Sequence, residues 1–259
     1  MRVQELFNLK DRTALVTGGS RGLGLQIAEA LGEAGARIVI TSRKQSDLQI
    51  AVSHLNDRGL DAVPIACDLA HADSIPELVE GALLQLSHID ILVNNAGATW
   101  GAPAEDYPLE AWDKVMNLNI RSVFLLTQAV GKRSMIPRRC GRIINIASIA
   151  GLRGNWPGLM ETVAYNTSKG AVVNFTRTLA AEWGEFGITV NTIAPYIFPT
   201  RMTRSLISQH DDAAMVGHVP LRRLGGDDDL KGASVLFASD AGKYITGQIL
   251  AVDGGFSAV

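Results

Sequence analysis

Tyr165 and Lys169 stand four residues apart in the run Y-N-T-S-K. On a helix, which turns once per about 3.6 residues, both side chains leave from one face. An ammonium beside a phenol makes the phenol a stronger acid than its ordinary pKa of about 10 allows. The pair is therefore a candidate proton donor near neutral pH. A second group of residues suits phosphate. T-G-G-S-R-G-L-G, residues 17–24, spaces Gly18, Gly22 and Gly24 as G-x-x-x-G-x-G. Glycines let a backbone turn tightly and let a pyrophosphate reach the N–H groups at a helix start.

These groups must be held by elements, and the hydrophobic pattern supplies them. Short apolar, β-branched runs at 13–17, 37–41, 62–67, 89–93, 142–146, 188–193 and 249–252 read as strands. Between them, helical spacing appears at 23–31, 45–58, 74–86, 109–132, 164–182 and 227–238. The last of these starts with acidic residues, which suit the positive end of a helix dipole. Regular alternation with near-continuous apolar strands predicts a parallel sheet covered by helices on both faces. No linker or composition shift divides the chain, so residues 1–259 read as one domain. The segment 195–224, with Pro195, Pro199 and Pro220, is the least regular and reads as a substrate lid. The glycine loop then falls between the first strand and the first helix, where a dinucleotide site belongs.

The cofactor is read from the end of the second strand. An acid there would accept hydrogen bonds from the adenosine ribose hydroxyls of NAD. Here stand Ser42 and Arg43, with Arg21 nearby in the glycine loop. Arg offers a 2′-phosphate a bidentate fork, so NADP(H) is expected over NAD(H).

Composition bounds the rest. The 259 residues are 47% hydrophobic and 19% charged, with a net charge of −2. That balance points away from nucleic acid or an anionic membrane as a partner. The start lacks the apolar segment of a signal peptide, and no apolar run reaches membrane-spanning length. Cys67 and Cys140 form no C-x-x-C, which fits a reducing, cytoplasmic setting. Cys67 is expected as a core thiol. His54, His71, His88, His210 and His218 are scattered and read as surface residues, and no metal motif occurs. Arg138-Arg139 and Arg222-Arg223 read as solvated surface or anion contacts.

At this point the chain resembles the classical short-chain dehydrogenase/reductase family along nearly all its length. The motifs are the glycine loop, Asn94-Asn95-Ala96-Gly97, Asn119 in M-N-L-N-I-R-S-V-F, Ser148 in I-I-N-I-A-S, Tyr165/Lys169 as Y-x-x-x-K, V-N-T-I-A-P and V-D-G-G. The resemblance implies a Rossmann-like, doubly wound fold and NAD(P)-linked chemistry at CH–OH groups. Tyr165 would be general acid for carbonyl reduction and base for alcohol oxidation. Ser148 would hold the substrate oxygen, and Lys169 would lower the phenol pKa and bind the nicotinamide ribose. Asn119 would hold a water that links Lys169 to solvent. Cofactor contacts would come from Gly18, Ser20, Arg21, Gly22, Leu23, Gly24, Ser42, Arg43, Asp68, Leu69, Asn95, Ala96, Gly97, Pro195, Ile197 and Thr200. A homotetramer or dimer is implied, paired through the helices around Asn119 and Tyr165.

Among branches, the chain looks most like 3-oxoacyl thioester reductases, with F-P-T-R-M-T as one cue. The gluconate 5-dehydrogenase type is the alternative, and a dinucleotide-binding regulator without turnover is a second. Two departures bear on substrate choice. Ser148 and Tyr165 are 17 positions apart, against about a dozen in the family. Arg153, Asn155, Trp156 and Met160 in that longer segment are expected to shape the substrate entrance. Pro195 is followed by Tyr196 where the family has glycine, which brings bulk to the nicotinamide end.

Overall fold

The computed structural model describes residues 1–155, 160–204, 207 and 215–259. Seven strands form one sheet in the order β3-β2-β1-β4-β5-β6-β7. They are β1 (Thr13–Thr17), β2 (Arg37–Ser42), β3 (Ala62–Ala66), β4 (Ile91–Asn94), β5 (Gly141–Ile146), β6 (Ile188–Pro195) and β7 (Ile249–Val252). Every neighbouring pair is parallel. The chain order reverses between β1 and β4, and in such sheets ligands bind outside the strand C-termini at that switch point.

Strand residues alternate between two cores, as a period of two requires. Ala14, Val16, Ile38, Ile40, Ile91 and Val93 face one side, against Ile27, Leu31, Leu48 and Phe237. Leu15, Val39, Leu92, Ile143 and Val190 face the other, against Leu78, Val79, Leu126 and Leu179. Each fully buried aliphatic side chain contributes about 1.5–3 kcal/mol. A buried polar chain ties the layers together. Asn94 Nδ2 donates to Thr127 Oγ1 and to Asn145 Oδ1, both at 2.9 Å. Asn145 Nδ2 donates to Thr176 Oγ1 at 2.8 Å, and Thr176 and Thr192 share a hydroxyl bond at 2.6 Å.

The helical pattern of 109–132 proves to be compound. The α-helical turns of Leu109–Met116 and Ser122–Val130 are joined by a π segment, Asn117–Arg121, and a second π segment follows at Gly131–Met135. The first carries Asn119. The expected acidic cap at 227–229 is also corrected. The helix is Lys231–Ala238, with no acid in its first turn and no side-chain cap. Asp229 instead accepts from Gly226 N at 2.7 Å and pairs with Arg223.

Two surface expectations change as well. Buried Asp90 accepts from Arg138 Nη1 at 2.9 Å and stands 3.1 Å from His88 Nε2. It also receives Thr13 N at 3.0 Å. Arg138 and His88 therefore cover a buried carboxylate, which would be costly unpaired. His54 lies 3.3 Å from Glu29, His71 and His218 are exposed, and His210 lies outside the described residues. Cys67 and Cys140 are free thiols.

Candidate active site

A cleft opens at the C-terminal ends of β1, β2, β4 and β5. Its floor begins with the glycine loop. Gly18 has φ +63°, and a Cβ there would lie 2.8 Å from Asn95 Nδ2. A Cβ on Gly24 would lie 2.3 Å from Gly18 O, closer than any side chain permits. The loop is fastened from β4. Asn95 Nδ2 donates to Thr17 O at 2.9 Å and Gly18 O at 3.3 Å, while Thr17 Oγ1 accepts from Asn95 N at 2.9 Å and Ala96 N at 3.0 Å. The helix Gly22–Glu33 starts here with no side-chain cap, so its first N–H groups are open to an anion.

Beyond the loop, Thr41, Ser42, Arg43 and Lys44 line the cleft at the end of β2. Thr41 Oγ1 and Ser42 Oγ are buried without a protein partner. Buried hydroxyls normally find one, so this end of the cleft offers polar contacts to a ligand. Arg21 lines the same region, with Nη2 3.1 Å from Asp47 Oδ2. At the end of β3, Cys67, Asp68 and Leu69 complete the wall. Asp68 Oδ1 accepts from Ala70 N at 3.1 Å. Cys67 packs against the second core but also lines the cleft. It is half-buried on the cleft, 3.2 Å from Ser74 Oγ, and burial pushes its pKa up.

Ser148, Tyr165 and Lys169 converge at the other end. Ser148 follows β5 and caps a short 3-10 turn, accepting from Ala150 N at 3.1 Å. Tyr165 and Lys169 lie on the first turns of the helix Val163–Trp183, and both line the cleft. The Lys169 Nζ lies 5.6 Å from the Tyr165 ring centre and donates to Ile146 O at 2.7 Å. Gly151 lets the turn after Ser148 sit on this helix, since a Cβ there would fall 2.6 Å from Lys169 O.

The electrostatics differ from the sequence expectation. Burial pushes the Tyr165 phenol above its ordinary value, and the Ser148 hydrogen bond pulls it back. Tyr165 is partly exposed, on the cleft. Lys169 is itself pushed down to about 8 by burial. Desolvation is therefore the larger influence on both groups in this structure.

Asn119 does not line the cleft. It is buried behind Lys169 with its side chain committed to protein. Oδ1 accepts from Ala98 N at 2.8 Å, and Nδ2 donates to Ala98 O and Ser168 Oγ, both at 2.9 Å. Ser168 Oγ donates to Tyr165 O at 2.7 Å. The asparagine thus braces the loop after β4 against the helix of Tyr165. π segments of this kind are frequent at functional sites.

Behind the cleft-lining Tyr196 lie an aromatic ring and a cation. Tyr196 stacks on Phe256, with ring centres 4.1 Å apart, and the Arg153 guanidinium carbon sits 5.0 Å over Phe256. Burial raises the Tyr196 phenol pKa while the Arg153 charge lowers it. Asn155 and Met160 line a separate depression with Pro103 and Val163. Asn155 Nδ2 bonds Met160 O at 2.9 Å and Thr162 Oγ1 at 3.0 Å, so it fastens the returning loop. Trp156 lies outside the described residues.

Of the sequence-predicted contacts, the glycine loop, Ser42, Arg43, Asp68, Leu69, Asn95 to Gly97, Ser148, Tyr165, Lys169, Pro195 and Thr200 share this one cleft. Ile197 does not. It is buried beside Leu221 and Leu224, in a smaller pocket. Its neighbour Phe198 reaches the cleft, and so do Arg201, Met202 and Thr203 from the expected lid. Thr200 packs on the glycine loop, its Cγ2 being 3.3 Å from where a Gly22 Cβ would stand. Residues 205–206 and 208–214 of that segment are outside those described. Lys44 and Leu118 were missed. Lys44 directly follows the Ser42-Arg43 pair, so its place was available in sequence.

Residues 12–211 match the short chain dehydrogenase family. The chain is 37% identical over 254 residues to gluconate 5-dehydrogenase of Gluconobacter oxydans, covering 98% of this chain and 97% of that one. It is 40% identical over 255 residues to the rhamnolipids biosynthesis 3-oxoacyl-[acyl-carrier-protein] reductase of Pseudomonas aeruginosa, covering 96% and 98%. A gluconate 5-dehydrogenase from Burkholderia cenocepacia, solved in complex with NADP and tartrate, superposes with TM-score 0.92 at 35% identity and full coverage of both chains. No helix among the described residues is long and apolar enough to cross a membrane. The chain belongs to the short-chain dehydrogenase family, NAD(P)-binding oxidoreductases acting on CH–OH groups.

Proposed function

We propose that the protein interconverts a ketone and its secondary alcohol with NADP(H) as the preferred cofactor. The observation that carries this reading is the meeting of Ser148, Tyr165 and Lys169 in one cleft with the glycine loop. Two features fit a phosphorylated dinucleotide: the side-chain-free cradle at Gly18 and Gly24, and the orphaned hydroxyls of Thr41 and Ser42. When bound, the nicotinamide supplies or accepts the hydride. Ser148 orients the substrate oxygen by hydrogen bonding, and Tyr165 gives its phenolic proton to that oxygen as charge builds on it. Lys169, charged and close to the ring, stabilises the phenolate that remains. Asn119, through Ser168, holds the Tyr165 turn in place.

For substrate, the sequence cue favoured a 3-oxoacyl thioester. A specific observation favours the other reading, a compact keto acid of the sugar-acid type. Arg153 stands over Phe256, one ring behind the cleft-lining Tyr196, and a guanidinium there would suit a carboxylate. A relative of the same fold was solved in complex with NADP and tartrate, a dicarboxylate. A homotetramer or dimer goes with this reading; Phe124, exposed and edge-on to Phe175, is a suitable contact. The substrate test is NADPH and NADH consumption with 5-ketogluconate and with a 3-oxoacyl thioester. Turnover of the keto acid alone supports the sugar-acid reading. Turnover of the thioester alone restores the first, and an inert panel with NADPH bound removes both.

A further inference from the structure

Resting on the NADP(H) reading, we propose that Asp47 is a specificity-determining residue that holds back discrimination in favour of the 2′-phosphate. Arg21, Arg43 and Lys44 line the end of the cleft at the β2 terminus, as do Thr41 and Ser42 with their orphaned hydroxyls. Arg21 is not a free cation. Its Nη2 lies 3.1 Å from Asp47 Oδ2, in a pair that is partly exposed on both sides. Asp47 sits in the first turn of the helix Gln45–Asp57, where the helix dipole favours a carboxylate with or without Arg21. The pair joins the glycine loop to the helix that follows β2. It therefore places a negative charge at the spot where a 2′-phosphate needs the Arg21 fork.

A carboxylate there acts in two opposed ways. It orients Arg21, which helps any anion, and it competes with a phosphate for the same guanidinium donors. Orientation by one exposed ion pair is a weak effect. Repulsion between a carboxylate and a phosphate near double charge is the larger one, because both address one guanidinium. Competition wins, and the site binds the 2′-phosphate less strongly than its three cations would allow. NADH is handicapped less, since its ribose hydroxyls carry no charge. The structure in this way encodes a moderate NADP(H) preference.

The test measures binding of 2′,5′-ADP and 5′-AMP by calorimetry to the wild type, Asp47→Asn and Arg21→Ala. The NADPH-to-NADH ratio of kcat/KM is measured alongside. Asparagine keeps the size of the side chain and a hydrogen bond to Arg21, and removes the charge. Asp47→Asn is expected to tighten 2′,5′-ADP about three- to tenfold, to leave 5′-AMP unchanged, and to raise the cofactor ratio equally. The gain shrinks as salt is raised. Unchanged or weaker 2′,5′-ADP binding by Asp47→Asn overturns the proposal. The cofactor reading fails separately: it falls if the wild type binds 2′,5′-ADP no better than 5′-AMP and Arg21→Ala changes neither.

Discussion

Lys169, in the proposed role, holds its charge against its own solvation, and replacing it with methionine should stabilise the fold while abolishing activity. The ammonium is buried, with Ile146 O as its hydrogen-bond acceptor at 2.7 Å. Burial pushes its pKa down from 10.5 to about 8. At about 1.36 kcal/mol per tenfold change, keeping the charge buried at neutral pH destabilises the fold by about 3 kcal/mol. Methionine fills similar space and removes that penalty, while losing one hydrogen bond from a charged donor, worth about 1.5–3 kcal/mol. The net gain of about 1 kcal/mol corresponds to a Tm rise of about 2–4 °C for a domain of this size. The folded pKa lies below the unfolded one, so between about 8 and about 10.5 the unfolded chain holds more protons. Wild-type stability therefore carries the full penalty below pH 8 and gains as pH rises through that window. Lys169→Met lacks this term, so its advantage shrinks towards pH 10.5. Melting curves of both proteins from pH 7 to 10.5 are the assay. A methionine variant that melts at or below the wild type at pH 7, with the same pH slope, refutes the reasoning.

Other outcomes follow from the same geometry. Asn119→Ala leaves Ala98 N, Ala98 O and Ser168 Oγ without their shared partner, and is expected to lose about 2–4 kcal/mol by denaturant titration and to lower kcat more than it alters KM. Gly24→Ala pushes a methyl group against Gly18 O and should abolish NADPH binding measured by fluorescence, while the core still melts cooperatively. Arg153→Ala should raise KM for a keto acid about tenfold or more with little change for a neutral ketone, measured by initial rates.

Much of this site could be read before any coordinates, because its parts are local. The glycine loop, the Y-x-x-x-K spacing and the strand runs depend on neighbours within a turn or two, and β1, β2, β5 and β6 fall within a residue or two of their sequence reading. What escaped depends on distant partners. The π segment at Asn119 keeps an ordinary helical pattern, since one extra residue in a turn does not alter which residue types appear. His88 and Arg138 look like surface residues until β4 brings Asp90 between them. Asp227 to Asp229 look like a helix cap, but Arg223 and Lys231 claim two of their carboxylates. Ile197 and Phe198 lie beyond the end of β6 at Pro195, where no strand period fixes which side chain faces the cleft. The pKa order of Tyr165 and Lys169 follows from burial, which sequence spacing does not measure.

The claim at the centre of this account is that Tyr165 is the proton donor. Tyr165→Phe removes one oxygen and leaves the ring, the helix and the cofactor cradle unchanged. With NADPH affinity measured on the same samples, the account predicts unchanged binding and a fall in ketone reduction of about 10²–10⁴-fold. Full NADPH binding with reduction at the wild-type rate would contradict it.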